Sequence, residues 1–287
     1  MDKIVKDVYS LLDKLNNSES IDGILEPHIE KFGEDMKEVI RHWAKVQDKD
    51  GKDNLRMSNV GKPNRQLWYD VNLNNEDQNL GKMQPYDQLK FLYGHLVEAI
   101  LLMLVEASGH EVSCQQDRVE VEGIKGSMDS VIDGEVIDIK SASPYGFKKF
   151  ANGTLAEDDP FGYIPQLAGY EKDKGTNNGG FLVMNKVTGE LCLHRPEVLD
   201  KPNIVGRIKE AKEVVANDNP PEELCYPDIE DGKSGNMKIN RGCNYCKYKE
   251  ICRSDANNGQ GLRKFKYSDG IRYLTRVIKE PKVEEIK

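Results

Sequence analysis

The sequence predicts an α/β protein with a helical N-terminal region. Apolar residues recur at helical spacing from about residue 86 to 106, which predicts one long helix. Pro165 suits the first turn of a later helix, and residues 200–216 also have a helical pattern. Strand patterns alternate with these helices, at about 111–122, 126–132, 135–141, 181–186 and 190–194.

Three segments are expected along the chain. Residues 1–84 combine a helical region, through about residue 50, with a polar stretch rich in Asn, Gly and Lys. Residues 85–216 carry the alternating helices and strands and form the predicted core. Residues 217–287 hold a cysteine cluster followed by basic and aromatic residues. A chain of 287 residues is long enough for one elaborated domain or two small ones.

Composition narrows the class of protein. The net charge of -8 argues against a nonspecific polycation, although a local basic groove remains compatible with nucleic acid. The N-terminus has no signal-peptide pattern, and no run of about 18 apolar residues is evident, so a cytoplasmic protein without a membrane segment is expected. Four of the six cysteines lie in the last quarter of the chain, which favours metal ligation over disulfides.

A predicted hairpin carries the main chemical signal. Asp133-Gly134 between β-branched runs favours a two-residue type I′ turn. That register places Asp129 opposite Asp138 on one face of the sheet, roughly 5 Å apart, with Lys140 on the same face. Opposed like charges destabilise a sheet unless something offsets them, and a divalent cation such as magnesium does so. The alternative to a metal site is an ordinary surface hairpin, with a solvent-facing pair of acids and a lysine as their salt-bridge partner.

Four motifs stand in a recognisable order. They are Gly94-His95-Leu96-Val97-Glu98, Gly126-Ser127-Met128-Asp129, Asp138-Ile139-Lys140 and Gln166-Leu167-Ala168-Gly169-Tyr170. This order resembles the PD-(D/E)XK nuclease superfamily over about residues 58–280, and most closely its RecB-like branch, which includes CRISPR-associated and many phage exonucleases. Met128 replaces the proline that names the superfamily, and Asp138 replaces the commoner Glu. The resemblance implies a restriction-endonuclease-like core with a mixed sheet flanked by helices, and metal-dependent hydrolysis of DNA by an exonuclease.

The resemblance also implies roles for individual residues. Asp129, Asp138 and the carbonyl of Ile139 would bind one or two magnesium or manganese ions, and Glu98 would complete the ligand set. Lys140 would orient the attacking water or stabilise the developing charge.

Two residues of the last motif receive substrate roles. Gln166 would hydrogen-bond a phosphate or base edge, and Tyr170 would stack or bond near the metal. Their spacing of four places both on one helix face, which is also common in ordinary packing.

The cysteines form a second signal. Cys243, Cys246 and Cys252 give the pattern C-x2-C-x5-C, and Cys225 is the nearest fourth thiol. Four thiolates suit zinc or an iron–sulfur cluster equally well. RecB-like relatives use a similar pattern for a [4Fe–4S] cluster, with their fourth cysteine far upstream, where this chain has Asn64. Three options therefore stand: Cys225 as fourth ligand, a zinc site, or loss of the cluster.

DNA, with single-stranded DNA as one option, is the expected partner. Basic and aromatic residues interleave in three clusters, around residues 62–69, 147–150 and 263–276. A helicase or recombination partner and any oligomeric state remain open. Two other functions stay in view: a non-catalytic nucleic-acid-binding protein that keeps the fold, and a zinc-stabilised adaptor.

Overall fold

The computed structural model describes residues 2–45, 55–73, 85–244 and 246–286. Predictions for residues 46–54 and 74–84 lie outside the described residues. The helices are α1 (Lys3–Asn16), α2 (Asp22–Ala44), α3 (Asn64–Asn72), α4 (Pro85–Ala107), α5 (Pro144–Ala151), α6 (Tyr163–Lys174), α7 (Ile204–Ala216) and the short α8 (Lys249–Cys252) and α9 (Ala256–Gly259). The strands are β1 (Val112–Ser113), β2 (Arg118–Val121), β3 (Ile124–Ser127), β4 (Ser130–Ile132), β5 (Glu135–Ala142), β6 (Gly180–Asn185), β7 (Leu191–His194), β8 (Ile229–Glu230), β9 (Met237–Lys238), β10 (Arg263–Tyr267), β11 (Gly270–Arg276) and β12 (Glu285–Ile286).

The described residues group into two compact units that do not follow chain order. The first contains residues 2–45, 55–61 and 85–210, and the second contains 62–73, 211–244 and 246–286. The short segment around α3 thus belongs with the C-terminal part of the chain. The predicted division into 1–84, 85–216 and 217–287 stays a prediction, because it rests on composition and the units rest on packing.

The first unit is a mixed α/β structure with helices on both faces of its sheet. The strand order is β1-β4-β5-β6-β7, in which β5 and β6 are parallel and the other neighbours are antiparallel. Ile137 and Ile139 of β5 join the core formed with α1 and α4. Successive side chains of a strand alternate between faces, so Asp138 and Lys140 point to the other face. There α5 and α6 pack on the sheet.

The predicted turn of the β4–β5 hairpin is confirmed. Asp133 and Gly134 have φ values of 50° and 84°, the left-handed pair that a type I′ turn requires. Ile132 pairs with Glu135 and Ser130 pairs with Ile137, which is the predicted register.

Two predicted strands are wrong in their extent. Residues 111–122 form β1 and β2 instead of one strand, because Cys114 and Gln116 adopt left-handed φ values of 53° and 56° between them. Residues 126–132 likewise divide: β3 pairs with β2 in a separate two-stranded sheet, and β4 belongs to the main sheet.

The second unit contains a five-stranded antiparallel sheet of order β12-β10-β11-β9-β8. Its core includes Trp68 and Tyr69 from α3 packed with Tyr248. Within the described residues of the segment 217–262, the regular elements are short and include β8, β9, α8 and α9. α7 begins at Ile204 and not at residue 200, since the residue preceding Pro202 is disfavoured in helical conformation.

One described helix, α4, is long and apolar enough to cross a bilayer, with a mean hydropathy of 1.5 over its best window. That signal is weak by itself, because the core helix of a soluble protein meets the same criteria. α4 packs against α1, α2 and β5. The expected absence of a membrane segment stays a prediction.

Candidate active site and cysteine cluster

A buried and a half-buried carboxylate meet at the open end of the β4–β5 hairpin. Asp138 lies on β5 with 1% of its surface exposed, and Asp129 directly precedes β4, where the register continues to the position opposite Asp138. The backbone N–H of Ile139 donates a hydrogen bond of 2.7 Å to Asp129 Oδ2. Burial, and then the charge of Asp138, raises the pKa of Asp129 well above its ordinary value. Burial also raises the pKa of Asp138. The site therefore holds more negative charge than its surroundings favour.

Lys140 supplies the positive charge of this site. Its ammonium forms an ion pair with Asp138 Oδ2 and lies 5.0 Å from the centroid of the Tyr163 ring. Burial opposes the charged ammonium, but the carboxylates of Asp138 and Asp129 outweigh that cost and raise the pKa of Lys140. The lysine stays protonated at any physiological pH. The predicted triad of Asp129, Asp138 and Lys140 is thus brought together.

Glu98 reaches the same site from α4. Its Oε1 accepts a hydrogen bond of 2.5 Å from Gln116 Nε2, and His95 Nδ1 lies 3.8 Å from its Oε2. The charge of Glu98 contributes to the raised pKa of both Asp129 and Asp138, which places three carboxylates within mutual electrostatic range. A cleft of about 480 Å³ opens beside Glu98, lined also by His95, Gln116 and residues of α2.

Gln166 and Tyr170 bond to each other within α6. Gln166 Nε2 donates a hydrogen bond of 2.7 Å to the Tyr170 hydroxyl. Tyr170 is only 1% exposed, and its ring lies so close to Gly126 that a Cβ there would come within 3.0 Å of it. Burial, and then the charge of Asp138, raises the pKa of Tyr170. A buried ring of this kind acts on the site through its hydroxyl and its packing, because its face is covered.

Sequence reasoning missed three residues around the site. Gln116 donates a hydrogen bond to Glu98. Tyr163, the first residue of α6, makes a cation–π contact with the ammonium of Lys140. Asp159 Oδ2 accepts the Ile164 N–H at 2.8 Å and so caps the start of α6. The segment Asp159-Pro160-Phe161-Gly162 has the composition of a turn that begins a helix, and that signal could have pointed to this corner.

The donor set suits a hard divalent cation. All the acidic side chains present carboxylate oxygens, and Asp138 Oδ2 is buried with no hydrogen-bond partner in the described residues besides its ion pair with Lys140. Oxygen ligands of this type are those that magnesium and manganese take in proteins. Within the described ranges, however, no three His, Cys, Asp or Glu side chains are already arranged to enclose an ion.

The second unit brings four cysteines into electrostatic contact: Cys225, Cys243, Cys246 and Cys252. All four are half-buried free thiols. The pKa of Cys225 and of Cys243 is raised to about 11, chiefly by burial and in smaller part by the neighbouring thiols. Cys246 shifts in the same direction, also through burial first. Sulfur donors suit a soft metal, but within the described part of the chain these thiols are not already arranged to enclose an ion.

Arg65 of α3 contacts this cluster. Its Nε donates to Cys252 Sγ at 3.2 Å, and its guanidinium lies 5.8 Å from the centroid of the Tyr69 ring. Trp68 Nε1 donates to the Asn217 carbonyl at 2.7 Å, and Lys62 pairs with Asp70 at 2.7 Å. The cluster around residues 62–69, predicted to face nucleic acid, is therefore engaged in packing and ion pairs.

The other two basic clusters are also partly engaged. Phe147 and Phe150 are buried, and Lys149 pairs with Asp158. In the second unit Arg263 pairs with Glu285 at 2.6 Å. Its neighbours behave alike, in the pairs Lys264–Glu250 and Arg272–Asp231. These contacts weaken the argument that the clusters bind phosphate, because their charge is already offset.

Comparison with known proteins yields little. No protein-family model matches this chain, and no curated protein is significantly similar to it. The solved structure of SSO0001 covers 78% of this chain and 96% of its own length, at a TM-score of 0.41 and 16% identity. A phage-related exonuclease from Haemophilus somnus 129PT covers 57% of this chain and 94% of its own length, at a TM-score of 0.38 and 14% identity. At such low TM-scores neither similarity supports an argument.

Proposed function

We propose that this chain is a metal-dependent deoxyribonuclease with a PD-(D/E)XK core. One observation carries the proposal: the buried Asp138 lies beside the half-buried Asp129, and Lys140 forms an ion pair with Asp138. Burying two carboxylates together is costly unless they bind a cation or share a proton. A single ammonium leaves the charge incompletely offset, and a divalent cation would complete the balance.

Each residue has a distinct task in this proposal. Oxygens of Asp129, Asp138 and Glu98 would hold magnesium or manganese, and the Ile139 N–H would keep the Asp129 carboxylate oriented. Such an ion, when bound, polarises a phosphate and lowers the pKa of a bound water. Lys140 stays protonated and would stabilise the negative charge that develops on the phosphate.

The finer assignments rest on the resemblance of the motifs. We assign an exonuclease acting on DNA in phage-type replication, recombination or degradation, within the cytoplasm. At the cysteine cluster we assign zinc or a [4Fe–4S] cluster with Cys225 as the fourth ligand. The mutual interaction of the four thiols supports that ligand set.

The catalytic proposal is tested by digesting end-labelled linear DNA, single- and double-stranded, with magnesium. Asp138→Asn and Lys140→Gln should each lower the initial rate by at least ~100-fold, since even outer-shell changes at metal sites cost 10–100-fold. Glu157→Gln, an exposed acid in the same unit, serves as the matched control and should match the parent protein. Equal rates for all four proteins would contradict the proposal.

The same samples test the non-catalytic alternative. Calcium replaces magnesium, and DNA binding is measured by fluorescence anisotropy. Binding by the parent protein without cleavage under any divalent ion would support a nucleic-acid-binding protein that keeps the fold. Cleavage that depends on Asp138 would exclude it.

A further inference from the structure

An exposed aromatic ring stands at the corner of the candidate active site. Phe161 is 55% exposed, and its ring stacks on Tyr163 with a centroid distance of 5.4 Å and an angle of 27°. The ammonium of Lys140 in turn lies 5.0 Å from the centroid of the Tyr163 ring. Phe161, Tyr163 and Lys140 therefore form a continuous series that leads from solvent to the buried carboxylates.

The inner ring of this series is held in place. Tyr163 contacts Phe150 and Phe181, with centroid distances of 6.1 and 6.2 Å. Burial raises the pKa of the Tyr163 hydroxyl. Tyr163 is thus a neutral aromatic support that contacts both the ammonium of Lys140 and the ring of Phe161.

The turn that presents Phe161 is also constrained. Gly162 adopts a left-handed φ of 73°, and a Cβ at this position would overlap the backbone of Gly61. On the other side of Phe161, Asp159 accepts the Ile164 N–H at 2.8 Å. Close packing and a capped helix start fix the backbone on both sides of an apolar ring that is nevertheless left open to water.

We propose that Phe161 is a stacking platform for a nucleobase of the substrate, next to the phosphate that lies at Lys140. This inference rests on the proposed nuclease function and adds a base-binding position to it. A nucleobase fits because every base has a π-face and aromatic stacking is tolerant of sequence. The ammonium beside Tyr163 would attract the phosphate of the same strand, so the two contacts would act on adjacent parts of one nucleotide chain.

The test uses the full-length protein and single-stranded oligonucleotides in calcium, each with one 2-aminopurine at a different position from the end. Stacking on an aromatic ring changes the fluorescence of 2-aminopurine. With the parent protein and with Phe161→Trp, we expect that change at one position only. Phe161→Leu should abolish it and weaken binding on the order of tenfold, as loss of one stacked base does.

Tyr86→Leu is the matched control. Tyr86 is 59% exposed and also has a cation, Lys90, 4.9 Å from its ring centroid, but it lies at the start of α4. Glu98 is about 18 Å farther along that helix axis, given a rise of 1.5 Å per residue. This variant should retain both the fluorescence change and the affinity of the parent protein. Thermal unfolding of each variant verifies that the fold is kept.

The outcomes separate the two proposals. If the parent protein cleaves DNA and Phe161→Leu keeps the position-specific fluorescence change, the stacking inference is wrong and the nuclease stands. If the change is lost in Phe161→Leu but no protein cleaves DNA, the base-binding position stands and the nuclease proposal fails. If the parent protein neither binds nor cleaves DNA, both are overturned.

Discussion

In both the carboxylate site and the cysteine cluster, a cation contacts partly buried acidic groups. The two cations come from very different distances along the chain. Asp129, Asp138 and Lys140 belong to one hairpin, and the lysine is two residues from its ion-pair partner. At the cysteine cluster, the guanidinium that contacts Cys252 comes from Arg65, in a helix far upstream. In both places burial raises the pKa of acidic groups, and nearby cations offset part of that cost: Lys140 at the carboxylates, and Arg65 and Arg253 at the thiols. Local turn chemistry brings together the hairpin residues of the first site, whereas tertiary folding brings Arg65 to the second.

The comparison predicts that the two sites fail differently. A double change Cys243→Ser and Cys246→Ser should remove the metal proposed for this cluster and lower the melting temperature, because a structural metal contributes directly to folding. Metal analysis and thermal unfolding measure both effects. Cys192→Ser, a half-buried thiol on β7, is the control and should retain the metal. A double variant with normal metal content would contradict the four-cysteine site.

Within the hairpin, the pKa values of two aspartates are shifted in opposite directions, so the two should affect the pH dependence of stability in opposite ways. Burial raises the pKa of Asp129 above the ordinary 3.8, so the folded chain holds a proton that the unfolded chain releases. The stability of the metal-free protein should therefore fall as the pH rises from 3.8 through the raised pKa. At the hairpin tip, burial opposes the charge of Asp133, but the hydrogen bonds with His110 and the Glu111 N–H, together with the charges of His110 and Lys3, outweigh it and lower the pKa. Its contribution should be present above 3.8 and be lost as the pH falls through the lowered pKa.

Urea unfolding with a chelator, across acidic to neutral pH, measures these slopes. Asp129→Asn should flatten the loss of stability with rising pH and stabilise the metal-free protein at neutral pH. Asp133→Asn should instead reduce the loss of stability in acid and leave the other slope intact. If the two variants gave the same pH profile, the difference between the base and the tip of the hairpin would be refuted.

Removing the Arg65 guanidinium from the cysteine cluster should have a smaller effect on metal binding than removing the thiols. Arg65→Gln deletes the donor to Cys252 and should weaken metal binding about tenfold, the lower end for outer-shell changes. Competition with a coloured chelator measures the affinity. Arg276→Gln, on the exposed side of β11, should have no effect. Equal affinities for both variants would show that Arg65 does not support the ligands.

The smallest effect is expected at Tyr170. Tyr170→Phe removes the hydroxyl that accepts a hydrogen bond from Gln166 and keeps the buried ring, so stability should fall by about 1 kcal/mol. DNA affinity should not change, because a ring that is 1% exposed cannot stack on a base. Denaturant unfolding and anisotropy measure the two quantities. A large loss of DNA affinity would restore the direct substrate role predicted for this residue.

Several features were predictable because they depend on neighbours in sequence. Asp133-Gly134 specifies its own turn, and that turn alone fixes which residues of β4 and β5 oppose each other. A second hairpin of this kind, at Glu122-Gly123, was not predicted, because the alternating pattern of residues 111–122 predicts a single strand. In that segment Cys114 and Gln116 adopt left-handed φ values and interrupt the strand. Neither residue type favours that conformation, so the sequence does not predict the interruption.

The sequence by itself determined the α/β class, the turn at Asp133-Gly134 and the pairing of the two carboxylates, because these follow from short-range turn preferences and strand alternation. Tertiary structure alone decided that Arg65 contacts Cys252, that Tyr170 is covered, and that Phe161 stays open beside Tyr163. Those outcomes depend on which distant segments share a core. Burial and long-range contact are properties of the packed chain, and no local pattern encodes them.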